Sequence, residues 1–137
     1  MKSHTFDELF EGKEASFEVE VRPEDLDRFA ELSGDFSEIH VSSEAAQARG
    51  FSDRVGHGLL AGAYISRMAG MELPGQLGLL QTVQMKFHKP FHAGDTLRVH
   101  GRVREKHASV RVVVIEVKIL RGEEVIATAK IQSGISS

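Results

Sequence analysis

The sequence contains no cysteine, which excludes disulfides, thiolate nucleophiles and cysteine-ligated metals. Nor does it carry a large excess of either charge. Its 17 Lys+Arg and 20 Asp+Glu leave a net charge of -3, which argues against a protein that tracks nucleic-acid phosphates. Long apolar runs are also missing. Residues 1–14 are polar and acidic, unlike a signal peptide, and no segment could cross a bilayer as a free helix. A soluble, cytoplasmic protein with no membrane or nucleic-acid partner is therefore expected. There is no internal repeat, low-complexity tract or Pro/Gly/Ser linker, so residues 1–137 are expected to form one domain. A chain of that length buries about two-thirds of its unfolded surface, enough for a core without staples.

What is present is periodic. Ala15, Phe17, Val19 and Val21 alternate with Ser16, Glu18, Glu20 and Arg22, the period of a half-buried strand. Pro23 suits a first helical position, and Glu24 and Asp25 suit the positive end of a helix. Leu26, Phe29, Ala30 and Leu32 are spaced for one buried helical face, and Gly34 is placed to end that helix. A second short helix is expected from Ser42 or Ser43 to Gly50. The stretch from His57 to Met71 is apolar or small on nearly every side, which predicts a helix buried all round, ended by Leu73-Pro74-Gly75. Strands follow. Leu79, Gln81, Val83, Met85 and Phe87 are predicted to share one face, as are Leu97, Val99, Gly101 and Val103. Val113, Ile115, Val117 and Ile119 face away from Glu116 and Lys118, and Val125 to Ile131 forms a last strand. Gly94-Asp95 and Arg121-Gly122 mark turns. One buried helix and a run of antiparallel strands make an α+β domain, a sheet wrapped around that helix. A single sheet covers one side of a helix well and the other poorly, so pairing with a second copy is expected, as a homodimer or a dimer of dimers.

Three segments carry polar groups suited to chemistry. In Ser33-Gly34-Asp35-Phe36-Ser37-Glu38-Ile39-His40 a helix stop is followed by a carboxylate and then an imidazole. Such a loop can aim both into one cavity for proton transfer. Taken alone, the segment reads more readily as a backbone cap followed by a surface histidine. Val55-Gly56-His57-Gly58-Leu59-Leu60 opens the apolar helix, where unpaired N–H donors suit an oxyanion; tight helix–sheet packing explains the glycines as well. Val83 to Asp95 is a strand ending in a basic, aromatic turn. Its His88 and His92 are four residues apart in an extended segment, so no metal site is expected there.

The order of these segments resembles a known family. S-G-D-F-S-E-I-H, R-V-G-H-G-L-L-A-G-A-Y-I-S, L-P-G and F-H-K-P-F-H-A-G-D-T-L, after the lead-in F-D-E-L-F-E-G-K, are similar to the MaoC-like (R)-specific enoyl-CoA hydratases over nearly the whole chain. The resemblance implies a hot-dog fold and a lyase that hydrates a trans-2-enoyl thioester or dehydrates an (R)-3-hydroxyacyl thioester. It implies no cofactor beyond coenzyme A or acyl carrier protein as the carrier of the acyl thioester substrate. Asp35 and His40 match the pair that activates one water, Gly58 the backbone donor to the thioester carbonyl, and Leu59 and Ser66 the pocket lining. Enolate charge builds on that carbonyl oxygen during hydration, which is why a donor at a helix N-terminus suits it.

The chain departs from the family at one point. The usual D-x-N-P-x-H has Asn-Pro where this chain has Ser37-Glu38. Losing proline loosens the loop, and Glu38 adds a carboxylate near Asp35. Glu38 is expected to face solvent, because an unpaired buried carboxylate is costly. Two other functions compete. A hot-dog thioesterase would usually place its carboxylate on the central helix, where Leu59 to Ile65 has none. A non-catalytic acyl-thioester-binding protein is favoured by the Ser37-Glu38 departure. Arg54, Lys86, His88 and Lys89 are the cations available for a carrier's phosphates.

Overall fold

Five strands build the frame of the molecule. The computed structural model describes residues 2–136. Strands β1 (Glu14–Glu20), β2 (Gly78–Phe87), β3 (Thr96–His107), β4 (Val112–Arg121) and β5 (Glu124–Ile135) form one antiparallel sheet in the order β1-β3-β4-β5-β2. Its inner face carries Leu97, Val99, Val103, Ile115, Val117, Ile119, Ala127 and Ile131, all buried. Each such side chain contributes about 1.5–3 kcal/mol when removed from water. Glycines with positive φ, Gly94 (95°) and Gly122 (61°), make the two expected turns.

Four helices lie on or beside the inner face. Helix α1 (Pro23–Ser33) begins where Asp25 accepts the Arg22 N–H at 3.0 Å and ends where Gly34, φ 80°, donates to the Ala30 carbonyl at 2.8 Å. Leu26 and Ala30 are buried, but Leu32 is 86% exposed, contrary to the expected stripe. At about 100° per residue, Leu32 falls roughly 120° away from Leu26 around the helix. Residues Glu38–Val41 wind the single turn α2, which the sequence pattern does not announce. Helix α3 (Ser43–Ala48) is capped by Ser42, which accepts the Ala45 N–H at 3.1 Å.

The central helix α4 (Gly58–Arg67) continues as a wider π turn over Met68–Glu72. Leu60, Ala61, Tyr64, Ile65, Met68 and Ala69 are buried against the sheet. Gly101 of β3 leaves the space filled by Met68, whose Sδ would lie 2.7 Å from a Cβ at that position. The expected all-round burial does not hold within one chain. Leu59, Ala63, Ser66 and Gly70 form an exposed stripe, Leu59 being 68% exposed. The sheet curls over one side of the helix only, so the apolar stripe on the other side stays open.

The expected face of β2 also needs correction. The register of β2 against β5 shifts between Leu80 and Thr82, a β-bulge. Leu80 opposes Ser133 on the helix side, while Leu79 opposes Gly134 and faces outward. Beyond the bulge, Val83, Met85 and Phe87 oppose Ile131, Ala129 and Ala127 on the helix side. The extra residue exchanges the faces, so Leu79 does not share one with Val83. No helix among the described residues is long and apolar enough to cross a membrane.

Candidate active site

The loop after α1 is fastened to the segment leading into α4. The Val55 N–H donates to the Ile39 carbonyl at 2.9 Å. Arg54 donates from Nε to the His40 carbonyl at 2.7 Å and from Nη2 to Asp27 at 2.5 Å. Gly56 lies so close to Phe91 that a Cβ there would come within 2.0 Å of its ring. Arg54 thus has a structural task and is not a free cation for a carrier. Lys89 is likewise paired, with Glu124 at 2.6 Å, and His88 Nε2 lies 3.0 Å from the Thr128 hydroxyl. Lys86 lines the outer face of the sheet with Gln84, Thr128 and Lys130.

These contacts bring Asp35 and His40 together. His40 Nδ1 lies 2.7 Å from the Val55 carbonyl oxygen. A carbonyl only accepts, so Nδ1 carries the proton and donates. Nε2 then faces Asp35 Oδ2 at 4.0 Å. That gap is too long for a direct hydrogen bond and suits one bridging water. The other carboxylate oxygen, Oδ1, accepts from the Ser37 hydroxyl at 2.6 Å and from the Ser37 N–H at 3.1 Å. The Ser37 hydroxyl, then its N–H, hold the Asp35 carboxyl below its ordinary pKa, and His40 and His57 add to the effect. Asp35 is therefore an anion at neutral pH, with its side chain 44% exposed against 13% for His40. Glu38 heads α2 and is exposed, as expected.

His57 joins this pair, although the sequence motif assigns no role to it. It is buried, its ring stacks on His40 with centroids 4.0 Å apart, and its Nε2 lies 3.0 Å from the Asp35 carbonyl oxygen. Burial chiefly holds this imidazole below its ordinary pKa. The contact with residue 35 spans 22 positions, so local spacing does not reveal it. Donor atoms of Asp35, His40 and His57 lie within 4.8 Å of one another. The two rings are stacked with only 24° between their planes, so their nitrogens point side by side and do not converge on one ion.

Gly58 is the first residue of α4, so its N–H has no intrahelical acceptor. Phe87 packs over it, 3.3 Å from where a Cβ would stand, and both line a depression of about 210 Å³ with His88, Lys89 and Pro90. Leu59 points outward, and Ser66 sits two helical turns, about 12 Å of rise, beyond Gly58. There Ser66 shares a hollow of about 110 Å³ with Ala69, Gly70, Gly78, Leu80 and Ser133. Asp35, His40 and the head of α4 form one cluster; Leu59 and Ser66 extend from it along the exposed stripe.

Known proteins resemble this chain in sequence and in fold. Over 107 residues, 75% of this chain and 74% of the relative, the sequence is 36% identical to an (R)-specific enoyl-CoA hydratase of Rhodospirillum rubrum. It is 32% identical over 100 residues to a 3-hydroxybutyryl-CoA dehydratase of Methylorubrum extorquens, covering 73% of this chain and 64% of that one. The unliganded R-hydratase of Pseudomonas aeruginosa superposes with a TM-score of 0.92 at 26% identity, covering 97% of this chain and 86% of that one. The (R)-hydratase of Aeromonas caviae shares the fold, with a TM-score of 0.90 at 22% identity, covering 93% and 98%. The fold is the hot-dog fold. Residues 9–124 match the MaoC like domain, and the chain belongs to that family.

Proposed function

We propose that the protein is an (R)-specific acyl-thioester lyase, adding water to a trans-2-enoyl thioester or removing it from the (R)-3-hydroxyacyl product. The observation that carries this reading is the 4.0 Å gap between Asp35 Oδ2 and His40 Nε2, the span of one water. Oδ2 is the carboxylate oxygen left over by Ser37, and Nε2 is the ring nitrogen left over by Val55. Both free positions can accept a water proton. The water oxygen attacks the β-carbon and gives up one proton to the pair. One proton then passes to the α-carbon, so the pair ends the cycle as it began. Meanwhile the thioester carbonyl takes on enolate charge, which the Gly58 N–H at the positive end of α4 stabilises. The names of the two relatives favour the same chemistry.

The exposed apolar strip supports a homodimer. Strand β2 is a sheet edge of 10 residues whose helix side leaves Val83 43% and Phe87 53% exposed, and Leu59 of α4 is exposed too. A long apolar edge invites another strand, and a second copy across a twofold axis would cover both the edge and the stripe of α4. The carrier is coenzyme A or acyl carrier protein.

Incubation with crotonyl-CoA tests the reaction. Loss of the enoyl thioester absorbance without free thiol supports a hydratase. Release of thiol would instead establish a thioesterase, and absence of both would leave a binding protein.

A further inference from the structure

His57 occupies the N-cap of α4 but does not cap it. That position usually holds a short polar side chain that accepts from the first helical turn. Here the ring turns back toward the preceding loop. Nε2 lies 3.0 Å from the Asp35 carbonyl oxygen, which can only accept, so Nε2 carries the proton. One face of the ring stacks on His40, and Phe29 packs against it with centroids 4.7 Å apart. Nδ1 is buried without a hydrogen-bond partner, an arrangement that costs free energy and needs a compensating gain.

We propose that His57 is a positioning residue, a neutral imidazole that fixes Asp35 and His40 relative to each other and to the Gly58 N–H. The inference rests on the hydratase reading above. Each of the pair has a degree of freedom, and His57 contacts both of them from across the site. Asp35 follows Gly34, whose φ of 80° marks a joint, and its other recorded bonds run to near neighbours, Ser33 and Ser37. The His40 ring has one hydrogen bond, to Val55, about which it can swing unless its face is held. His57 holds that face and the Asp35 peptide together. Because it is the residue before Gly58, it ties both to the oxyanion donor. Burial disfavours its charged form most; the hydrogen bond to the Asp35 carbonyl opposes this, and His40 and Arg54 add smaller effects in the sense of burial, so that the imidazole is held below its ordinary pKa. A ring that stays neutral does not compete for the protons moving between water and the pair. A mere packing role would make different demands: any apolar side chain of similar size would then serve.

The test compares wild type, His57→Leu and His57→Gln with crotonyl-CoA, and follows imidazole N–H protons by NMR in each. The leucine variant is expected to fold and to keep KM within about threefold. Its kcat should fall on the order of 10- to 100-fold, the scale of a misplaced reacting group. Glutamine, whose amide can donate to the Asp35 carbonyl, should recover most of that loss. The His40 Nδ1 proton should be protected from solvent exchange in wild type and in the glutamine variant, and exchange faster with leucine. A folded leucine variant with wild-type kcat would overturn the proposal. Should leucine not fold, His57→Asn replaces it, since its shorter amide falls back from Asp35. Equal kcat for asparagine and glutamine would then overturn the proposal. An inactive wild type would overturn the hydratase reading instead, and the exchange of the His40 proton would still decide the role of His57.

Discussion

The head of α4 and the open stripe along its side are finished differently. At the N-terminus, polar groups from four segments are tied together within one chain: Arg54 to His40 and Asp27, Val55 to Ile39 and His40, His57 to Asp35, Ser37 to Asp35. Along its open side, Leu59, Ala63, Ser66 and Gly70 face outward near the edge strand β2, whose Val83 and Phe87 are exposed. The head needs no partner to hold its geometry. The stripe is closed only when something covers it.

The largest expected effect lies at the fixed end. Removing the side chain in Asp35→Ala or His40→Ala should lower turnover by about 10²-fold or more, if the pair moves protons. Thermal stability should change little for Asp35→Ala, whose side chain is 44% exposed. Circular dichroism melts beside the crotonyl-CoA assay check both. Folded variants that keep full activity would remove the pair from the mechanism.

On the open side, Val83→Asp places a charge in the strip that a second copy would cover. In a twofold dimer the substitution counts twice, and each valine contributes about 1.5–3 kcal/mol of burial. The dimer dissociation constant should therefore rise by on the order of 10²-fold or more, readable by sedimentation. A variant that sediments like wild type would place the subunit contact elsewhere.

The fold was largely legible because periodicity reports burial directly. The alternation in β1 and in the first half of β3 appears in the sequence as it does in space, and the apolar stretch from His57 marks where α4 lies. The β2 bulge was not legible, since a period of two cannot show where one residue stands unpaired. The open stripe on α4 was misread as buried because composition records that a surface will be covered, without saying by which chain. At the candidate site, Asp35, His40 and Gly58 are singled out by the family resemblance, and the structure brings Asp35 and His40 together. His57 was in plain view but reads as packing until its neighbour from 22 residues away is known. Ser37 did leave a local signal: a hydroxyl two residues after an aspartate can bond back to it, and here it does.

Smaller effects sharpen the account of the fixed end. Ser37→Ala removes the strongest influence holding the Asp35 carboxyl down, so the acid limb of kcat/KM should move to higher pH. The sign for stability is that of any depressed carboxylate. The contribution of Asp35 is present above the unfolded carboxyl pKa and is lost as pH falls through the lower folded value. The alanine variant should show less of this acid-dependent loss. An unchanged acid limb would mean that another group sets it. The smallest effect is expected from Glu38→Pro. Glu38 is exposed at the first position of α2, where proline is tolerated, and Ser37 already has the extended ψ of 134° that a following proline favours. Activity should stay within about threefold of wild type and stability should rise by up to about 1 kcal/mol. A severe loss of activity would show that Glu38 takes part in the chemistry after all.

The most direct test is a crystal structure with a stable enoyl-thioester analogue bound. It should show the analogue's carbonyl oxygen within about 3 Å of the Gly58 nitrogen. One water, or the analogue atom replacing it, should lie within about 3 Å of both Asp35 Oδ2 and His40 Nε2. A carbonyl oxygen bound away from the head of α4, with no shared site between Asp35 and His40, would contradict the account.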